Sequence, residues 1–197
     1  MNKKDLQNNP FKQFSAWYEL ASEKNLLQYD AMVLSTSNKR GKPSSRVVLL
    51  KGVDDRGFIF FTNYNSRKGK ELEDNPNASI LFYWSELHRQ VRIEGRVEKI
   101  PRKESEEYFN SRSLESRIGA WVSEQSSVIK NREFLDRKFL ELQKKYEDGN
   151  VPVPPHWGGY RLIPLSFEFW ESRPYRLHDR IRYKRVKGNW VKERLSP

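Results

Sequence analysis

The 197-residue sequence contains no cysteine, only three histidines and no long apolar run. Without cysteine there is no disulfide framework, no thiolate metal cluster and no cysteine nucleophile. His88, His156 and His178 are too scattered for a metal site of familiar spacing, so we expect no metal. The N-terminal segment lacks the apolar core of a signal peptide, and no apolar run reaches membrane-spanning length. We therefore expect a cytoplasmic protein with no membrane partner.

Glycine-rich phosphate loops are also missing. Neither Gly-x-Gly-x-x-Gly nor a Walker-type sequence occurs, which argues against a dinucleotide bound by a doubly wound sheet. Positive charge, in contrast, is abundant, since 37 Lys and Arg against 26 Asp and Glu give a formal net charge of +11. Such a surplus fits nucleic acid, a membrane surface or a phosphorylated small molecule as partner. Charge alone does not choose among them.

Short β-branched and aromatic runs dominate the chain. They read AMVLSTS, RVVLLK, FIFFT, ASILFYW and QVRIEGRVEKI, and later RLIPLSFEFW, RIRYKR and WVKERL, with turn-rich segments between most of them. Many short strands and few helices favour an antiparallel barrel over an alternating parallel sheet. Because 36% of the residues are hydrophobic, the chain can bury one substantial core. We expect one domain over residues 1–197.

Helical spacing appears in a few segments between these strands. Asn9 and Pro10 suit the start of an opening helix. A second segment begins at Pro101, and in it Tyr108, Arg112 and Ser116 recur every four residues, so at least the first two share a face. A third segment has an apolar stripe that predicts core or dimer packing, formed by Leu135, Phe139, Leu142 and Tyr146.

The segment FTNYNSRKGKELEDNP has an unusual order of charges. Ser66 can cap a short helix with Arg67 and Lys68 in its first turn and acidic residues in its last. Helices favour the opposite order by about 0.3–1 kcal/mol per charge, so this arrangement is costly unless an anion lies at the helix start. A bound phosphate would reverse the sign of the effect. The alternative is a surface turn with unoptimised charge.

The segment RLHDRIRYKR, from Arg176 to Arg185, is strongly basic. If it is extended, alternate side chains share a face, and Leu177, Ile181 and Tyr183 would point away from the cations. The cationic face would then hold Arg176, His178, Arg180, Arg182 and Lys184. This face indicates either a site for phosphate or another anion, or a solvated edge strand that discourages edge-to-edge pairing.

Several of these segments together resemble the pyridoxamine 5′-phosphate oxidase family. They occur in order between Ala31 and Pro197 and include RVVLLK, FFTNYNSRKGKELEDNP, RQVRIEG, WVSEQSS, HWGGYRLIP, FEFW, RLHDR and the closing RLSP. The resemblance implies a mainly β fold with flanking helices, the FMN-binding split β-barrel, which is a Greek-key antiparallel barrel. It also implies a homodimer with FMN at the subunit interface. The implied reaction oxidises pyridoxamine or pyridoxine 5′-phosphate to pyridoxal 5′-phosphate, with O2 as the final acceptor and H2O2 as a product.

The resemblance also assigns residues to this reaction. Arg176 and His178 are the implied catalytic residues. The implied substrate-binding residues are Lys51, Tyr108, Arg112, Ser116, Arg176 and His178. The implied FMN-binding residues are Arg46, Val47, Val48, Leu49, Leu50, Lys51, Phe61, Thr62, Arg67, Lys68, Gln90, Gln125, Ser126, Trp170 and Arg180.

The sequence departs from the family pattern in two places. The N-terminal segment is short and has no counterpart of the Arg and Tyr that often fold over the substrate. In LQYDAM, Gln28 and Tyr29 replace a common acidic residue and a common proline. Two other functions remain open. One is a split-barrel flavoprotein with a different reductase or oxidase substrate, and the other is a basic nucleic-acid-binding module without a chromophore.

Overall fold

The computed structural model describes residues 1–197 and is mainly β, with helices packed around one sheet. The strands are Ala31–Ser37 (β1), Pro43–Leu49 (β2), Gly52–Asp54 (β3), Gly57–Asn63 (β4), Asn77–Trp84 (β5), Arg89–Lys99 (β6), Trp157–Glu171 (β7), Asp179–Val186 (β8) and Asn189–Leu195 (β9). The helices are Pro10–Glu23 (α1), Arg67–Asp74 (α2), Arg102–Asn110 (α3), Leu114–Val122 (α4) and Arg132–Lys145 (α5). None of them is long and apolar enough to cross a membrane.

All strand pairs are antiparallel, and the main path through the sheet is β2-β1-β5-β6-β7-β4-β3. The long strand β7 organises this sheet. One edge of β7 pairs with β6, while β4 pairs with its first half and β8 with its second half, and β9 follows β8. Strand β7 therefore joins two regions of the molecule, one beside β4 and one beside β8.

The sheet curls around a single large apolar core. Strands at distant positions in the sheet order contribute to the same cluster, for example Leu34 of β1, Phe60 of β4 and Ile181 of β8. Helix α1 closes this core, because Phe14 packs edge-on against Phe58 with ring centroids 4.9 Å apart. The predicted antiparallel barrel is thereby confirmed.

A smaller apolar cluster lies under α3, α4 and α5. It contains Phe109, Ile118, Val122, Val151 and Trp157, and the apolar stripe of α5 packs against it. The stripe therefore serves core packing, which is one of the two roles that its spacing predicted. The predicted helix after Pro101 is divided into α3 and α4 by a turn that contains Arg112, so Tyr108 and Arg112 do not share one helix.

The basic segment RLHDRIRYKR is extended only in its second part. From Arg180 to Lys184 the predicted alternation holds, with Ile181 and Tyr183 buried. The prediction is wrong for Arg176, which lies in a tight turn with φ of 63°, directly after Tyr175 with φ of 58°. Pro174 begins this turn, and its carbonyl accepts a hydrogen bond from the Leu177 amide at 3.2 Å. The strand therefore begins only at Asp179.

Candidate active site

A cavity of about 500 Å³ lies between β2, β4 and the helices α3 and α4. Most of the residues predicted for the FMN and the substrate phosphate line it: Val47, Val48, Leu49, Lys51, Phe61, Thr62, Lys68, Tyr108, Arg112, Ser116 and Gln125. The fold brings these positions together from segments far apart in the sequence. We refer to this space as the main cavity.

Aromatic rings form one wall of the main cavity. Phe61 stacks on Tyr108 with ring centroids 3.9 Å apart, and the Trp157 ring lies nearly parallel to both, 5.3 Å from Phe61 and 6.3 Å from Tyr108. The guanidinium of Arg112 lies over the Trp157 ring at 5.0 Å. Its Nη1 atom is buried and has no hydrogen-bond partner, and burial lowers the pKa of Arg112. An unsatisfied buried donor is costly, so this position favours an anionic ligand.

Lys68 is a buried cation of the main cavity. Lys68 is only 8% exposed, and its Nζ donates hydrogen bonds to Thr62 Oγ1 at 2.9 Å and to Gln125 Oε1 at 3.0 Å. Both acceptors are neutral, and no carboxylate forms an ion pair with Lys68. Burial, and secondly the nearby charge of Arg46, lower the pKa of Lys68 to about 8. A phosphate bound here would supply the missing negative charge.

The predicted helix start at Ser66 is confirmed. Ser66 Oγ accepts a hydrogen bond from the Gly69 amide at 3.3 Å, and the first turn contains no acidic residue. Arg67, however, turns back along the helix and donates to Glu71 Oε1 at 2.8 Å. Its amide donates to Ser126 Oγ at 3.2 Å, and Arg67 and Ser126 line a neighbouring cavity that shares Gln125 with the main cavity.

Glu71 explains part of the unusual charge order in α2. It is buried, and its carboxylate accepts hydrogen bonds from Arg67, Arg46, Ser44 and Thr36. Burial alone would raise the pKa of Glu71, but these hydrogen bonds outweigh burial and lower it to about 2. Arg46 therefore supports the α2 start rather than lining the main cavity. Leu50, another predicted FMN residue, is buried and borders a different cavity.

The remaining predicted residues form a second group around the far half of β7. Gln90, Trp170 and Arg180 lie side by side in register across β6, β7 and β8. Arg180 is fixed on two sides, because its Nε donates to the buried Glu168 at 2.8 Å and its Nη1 donates to the carbonyl of Ser196 at 2.8 Å. These two bonds fix the guanidinium of Arg180, whose backbone is the register partner of Trp170.

Arg176 and His178 belong to the same second group. The rings of His178 and Trp170 lie 4.7 Å apart, and the Arg173 amide donates to His178 Nδ1 at 3.2 Å. Because Nδ1 accepts this bond, the neutral ring carries its proton on Nε2. Arg176 is exposed, and its guanidinium forms no hydrogen bond or ion pair within the chain. Both side chains are thus available to a ligand.

The two groups are far apart along the sheet. Thr62 pairs with Gly158 at the start of β7, and Trp170 follows Gly158 by twelve residues, which corresponds to roughly 40 Å of strand at about 3.3 Å per residue. No hydrogen bond, ion pair or ring contact joins the main cavity to the second group. A single chain therefore does not bring all the predicted residues together.

Comparison with known proteins identifies the family of this chain. Residues 20–146 match the family model "Pyridoxamine 5'-phosphate oxidase", and residues 157–197 match "Pyridoxine 5'-phosphate oxidase C-terminal dimerisation region". The chain belongs to the pyridoxamine 5′-phosphate oxidase family. The second group, apart from Gln90, lies within the dimerisation region of this family, and the match supports a homodimer.

Individual members of the family are similar over almost the whole chain. The "Pyridoxine/pyridoxamine 5'-phosphate oxidase" of Burkholderia thailandensis is 54% identical over 98% of this chain and 91% of its own length. A crystal structure of PhzG from Burkholderia lata in complex with tetrahydrophenazine-1-carboxylic acid has a TM-score of 0.94, with 34% identity over 98% of this chain and 95% of that one. These relatives support an oxidoreductase and confirm the resemblance inferred from the motifs.

The family's fold is confirmed by a more distant structure. A pyridoxamine 5′-phosphate oxidase-related, FMN-binding protein from Nostoc punctiforme has a TM-score of 0.75 at 18% identity, covering 96% of this chain and 98% of that one.

Four residues important to the site were missing from the predicted set. Trp157 and Asn63 line the main cavity, while Glu71 and Glu168 hold predicted arginines in place. HWGG signalled Trp157, but nothing local marked the two glutamates as buried partners.

Proposed function

We propose that this oxidase-family chain binds FMN and converts pyridoxamine or pyridoxine 5′-phosphate to pyridoxal 5′-phosphate. The observation that carries the proposal is the presence in one cavity of the buried Lys68 and of Arg112, whose Nη1 atom is buried without a hydrogen-bond partner, with no carboxylate paired to either. Each is suited to a phosphate, and the reaction needs two phosphates, one on FMN and one on the substrate.

FMN fits the residues around Lys68. The ammonium group, the start of α2 and the side chains of Thr62 and Gln125 offer a cation and hydrogen-bonding groups for the FMN phosphate. Val47, Val48 and Leu49 supply an apolar flank for the ring system. The chemistry that FMN supplies when bound is acceptance of a hydride from the 4′ carbon and transfer of the two electrons to O2, which takes up two protons to form H2O2. With the amine substrate, water then hydrolyses the resulting imine and releases ammonia.

The substrate phosphate fits the other end of the main cavity. Arg112 offers an unsatisfied N–H, and the hydroxyls of Tyr108 and Ser116 line the same space. Lys51 contributes a further ammonium from the end of β2. Four donors of this kind favour a phosphorylated substrate over a neutral one, because the buried Nη1 of Arg112 would remain unsatisfied without an acceptor.

The second group would complete this site across the homodimer. The division of the predicted residues into two separated groups supports an arrangement in which the second group of one subunit faces the main cavity of its partner. Arg176 would then hold the polar substituents of the pyridine ring, and His178 would donate its Nε2 proton to the ligand. Arg180, fixed by Glu168, would contact the FMN. We assign no obligatory proton abstraction to His178.

A different substrate is the second candidate. PhzG, which shares 34% identity and a TM-score of 0.94 with this chain, was crystallised with tetrahydrophenazine-1-carboxylic acid, a ligand without phosphate. This similarity favours oxidation of a reduced tricyclic carboxylic acid. The cluster of Lys51, Tyr108, Arg112 and Ser116 favours a phosphate instead.

Comparing the turnover of different substrates tests the two candidate functions. The purified protein should carry a releasable flavin that is identified as FMN, and it should consume O2 with pyridoxine 5′-phosphate but only weakly with unphosphorylated pyridoxine. Equal turnover of the two compounds, or turnover only with the tricyclic acid, would contradict the proposed substrate. Salt-sensitive binding of DNA by a colourless protein would contradict the oxidase itself.

A further inference from the structure

Lys51 differs from Arg112, the other cation proposed to hold the substrate phosphate. Its Nζ is paired with Asp30 Oδ2 at 3.1 Å, whereas Arg112 has no carboxylate partner. The side chains of Lys51 and Asp30 are 28% and 24% exposed, so the pair is only partly screened by water. A phosphate that binds Lys51 must therefore compete with a carboxylate already present.

The surroundings of Asp30 leave it no other counter-ion. Asp30 borders a second cavity of about 380 Å³ beside α1, and Lys51 lines both this cavity and the main one. Burial, followed by the neighbouring Tyr29 and Asp30, raises the pKa of Tyr18 to about 12, so Tyr18 stays neutral. Glu19, the remaining charged residue of this second cavity, is also acidic. Lys51 is thus the single cation paired with Asp30.

The backbone fixes Asp30 opposite Lys51. The Asp30 carbonyl accepts a hydrogen bond from the Leu50 amide at 2.8 Å, which ties the start of β1 to the end of β2. The Lys51 amide is itself bonded to the Ile59 carbonyl at 2.8 Å. Because both backbones are held, Asp30 and Lys51 stay neighbours when a ligand arrives. A carboxylate at this position repels a phosphate that contacts Lys51.

We propose that Asp30 is a specificity-determining residue that weakens phosphate binding at Lys51. It would do so by holding the ammonium and by repelling the phosphate dianion, and the same effect would speed release of the phosphorylated product. Asp30 would thereby set the affinity of the site for the phosphate of the substrate and of the product. The identity of these ligands rests on the function proposed above.

The test compares Asp30→Asn with the parent, both saturated with FMN. Titration with inorganic phosphate should show about three- to tenfold tighter binding in the variant, as expected for loss of a partly exposed ion pair and its repulsion. The KM for pyridoxine 5′-phosphate should fall by a similar factor, while the Kd for FMN stays unchanged. Asp136→Asn, which removes an exposed ion pair with Arg132 on α5, is the matched control and should change none of these values.

A double variant assigns the effect to Lys51. In a Lys51→Ala background, Asp30→Asn should tighten phosphate binding by a smaller factor than in the parent, because the competition for the ammonium is gone and only the repulsion by the carboxylate remains. Asp30→Ala also removes the hydrogen-bond acceptor and should behave like Asp30→Asn. Unchanged or weaker phosphate binding in both folded Asp30 variants would overturn the proposal. Because the titration needs no turnover, it still decides the role of Asp30 if the protein fails to oxidise pyridoxine 5′-phosphate.

Discussion

The buried ammonium of Lys68 makes a quantitative prediction about FMN binding. Its pKa in the ligand-free chain is lowered to about 8 by burial and by the charge of Arg46. A phosphate beside it would favour the charged form and raise this pKa. FMN should therefore bind best when Lys68 is protonated, and its affinity should fall as the pH rises above about 8.

The size of this effect follows from the protonated fraction. With a ligand-free pKa of about 8 and a much higher pKa in the complex, the Kd for FMN should increase about tenfold between pH 7 and pH 9. The same pKa shift also affects the stability of the ligand-free protein. Because the pKa is lowered on folding, the unfolded chain binds more protons above pH 8 and stability rises with pH there. Fluorescence titration of apo-protein with FMN measures the first effect, and urea unfolding measures the second.

Substitution separates Lys68 from the other cation of α2. Lys68→Gln should raise the Kd for FMN by about 5- to 150-fold, equivalent to loss of roughly 1–3 kcal/mol for a charged hydrogen bond, and should flatten the pH profile. Arg67→Ala should cost less, because Arg67 is 56% exposed and already paired with Glu71. An unchanged pH profile in Lys68→Gln, or a larger loss in Arg67→Ala, would refute the reasoning.

Three further predictions concern the second group and the dimer. Arg176→Ala should keep its FMN and lose much of its kcat/KM for pyridoxine 5′-phosphate in steady-state assays, and His178→Ala should lose less. Activity of Arg176→Ala equal to that of the parent would contradict the catalytic role of Arg176. Arg180→Ala should weaken FMN binding more than it lowers turnover at saturating FMN. Glu168→Gln should weaken FMN binding more mildly, because Arg180 loses a charged partner. Flavin titration measures both effects, and tight FMN binding in both variants would contradict this assignment. Light scattering with activity measured across dilution should show activity falling as dimers dissociate, whereas a fully active, flavin-loaded monomer would contradict a shared site.

Local spacing was sufficient to predict much of this architecture. The strands, the cap at Ser66 and the apolar stripe of α5 follow from short-range patterns, and the structure contains all three. The turn at Arg176 was not predicted, because an alternating pattern continued across it and the positive φ values leave no mark in the side-chain order. Sequence patterns thus indicated candidate anion-binding residues but not the backbone conformation that presents them.

Pairing across the sheet was the part that the sequence could not supply. Asp30 meets Lys51 because Ala31 and Leu49 are register partners in the β1–β2 hairpin. Glu168 meets Arg180 and Arg92 only once β6, β7 and β8 lie side by side. Such contacts depend on register and burial rather than on residue spacing. For the same reason, the separation of the site into two groups became visible only in the folded chain.

Anaerobic reduction of the bound flavin tests the central claim most directly. The purified protein is mixed with pyridoxine 5′-phosphate in the absence of oxygen, and the yellow flavin absorption is followed. We expect rapid bleaching, recovery on admission of air, and formation of pyridoxal 5′-phosphate, with little bleaching by unphosphorylated pyridoxine and a marked loss of rate in Arg112→Ala. A flavin that stays oxidised with the phosphorylated substrate, or that is bleached equally well without the phosphate, would contradict the account.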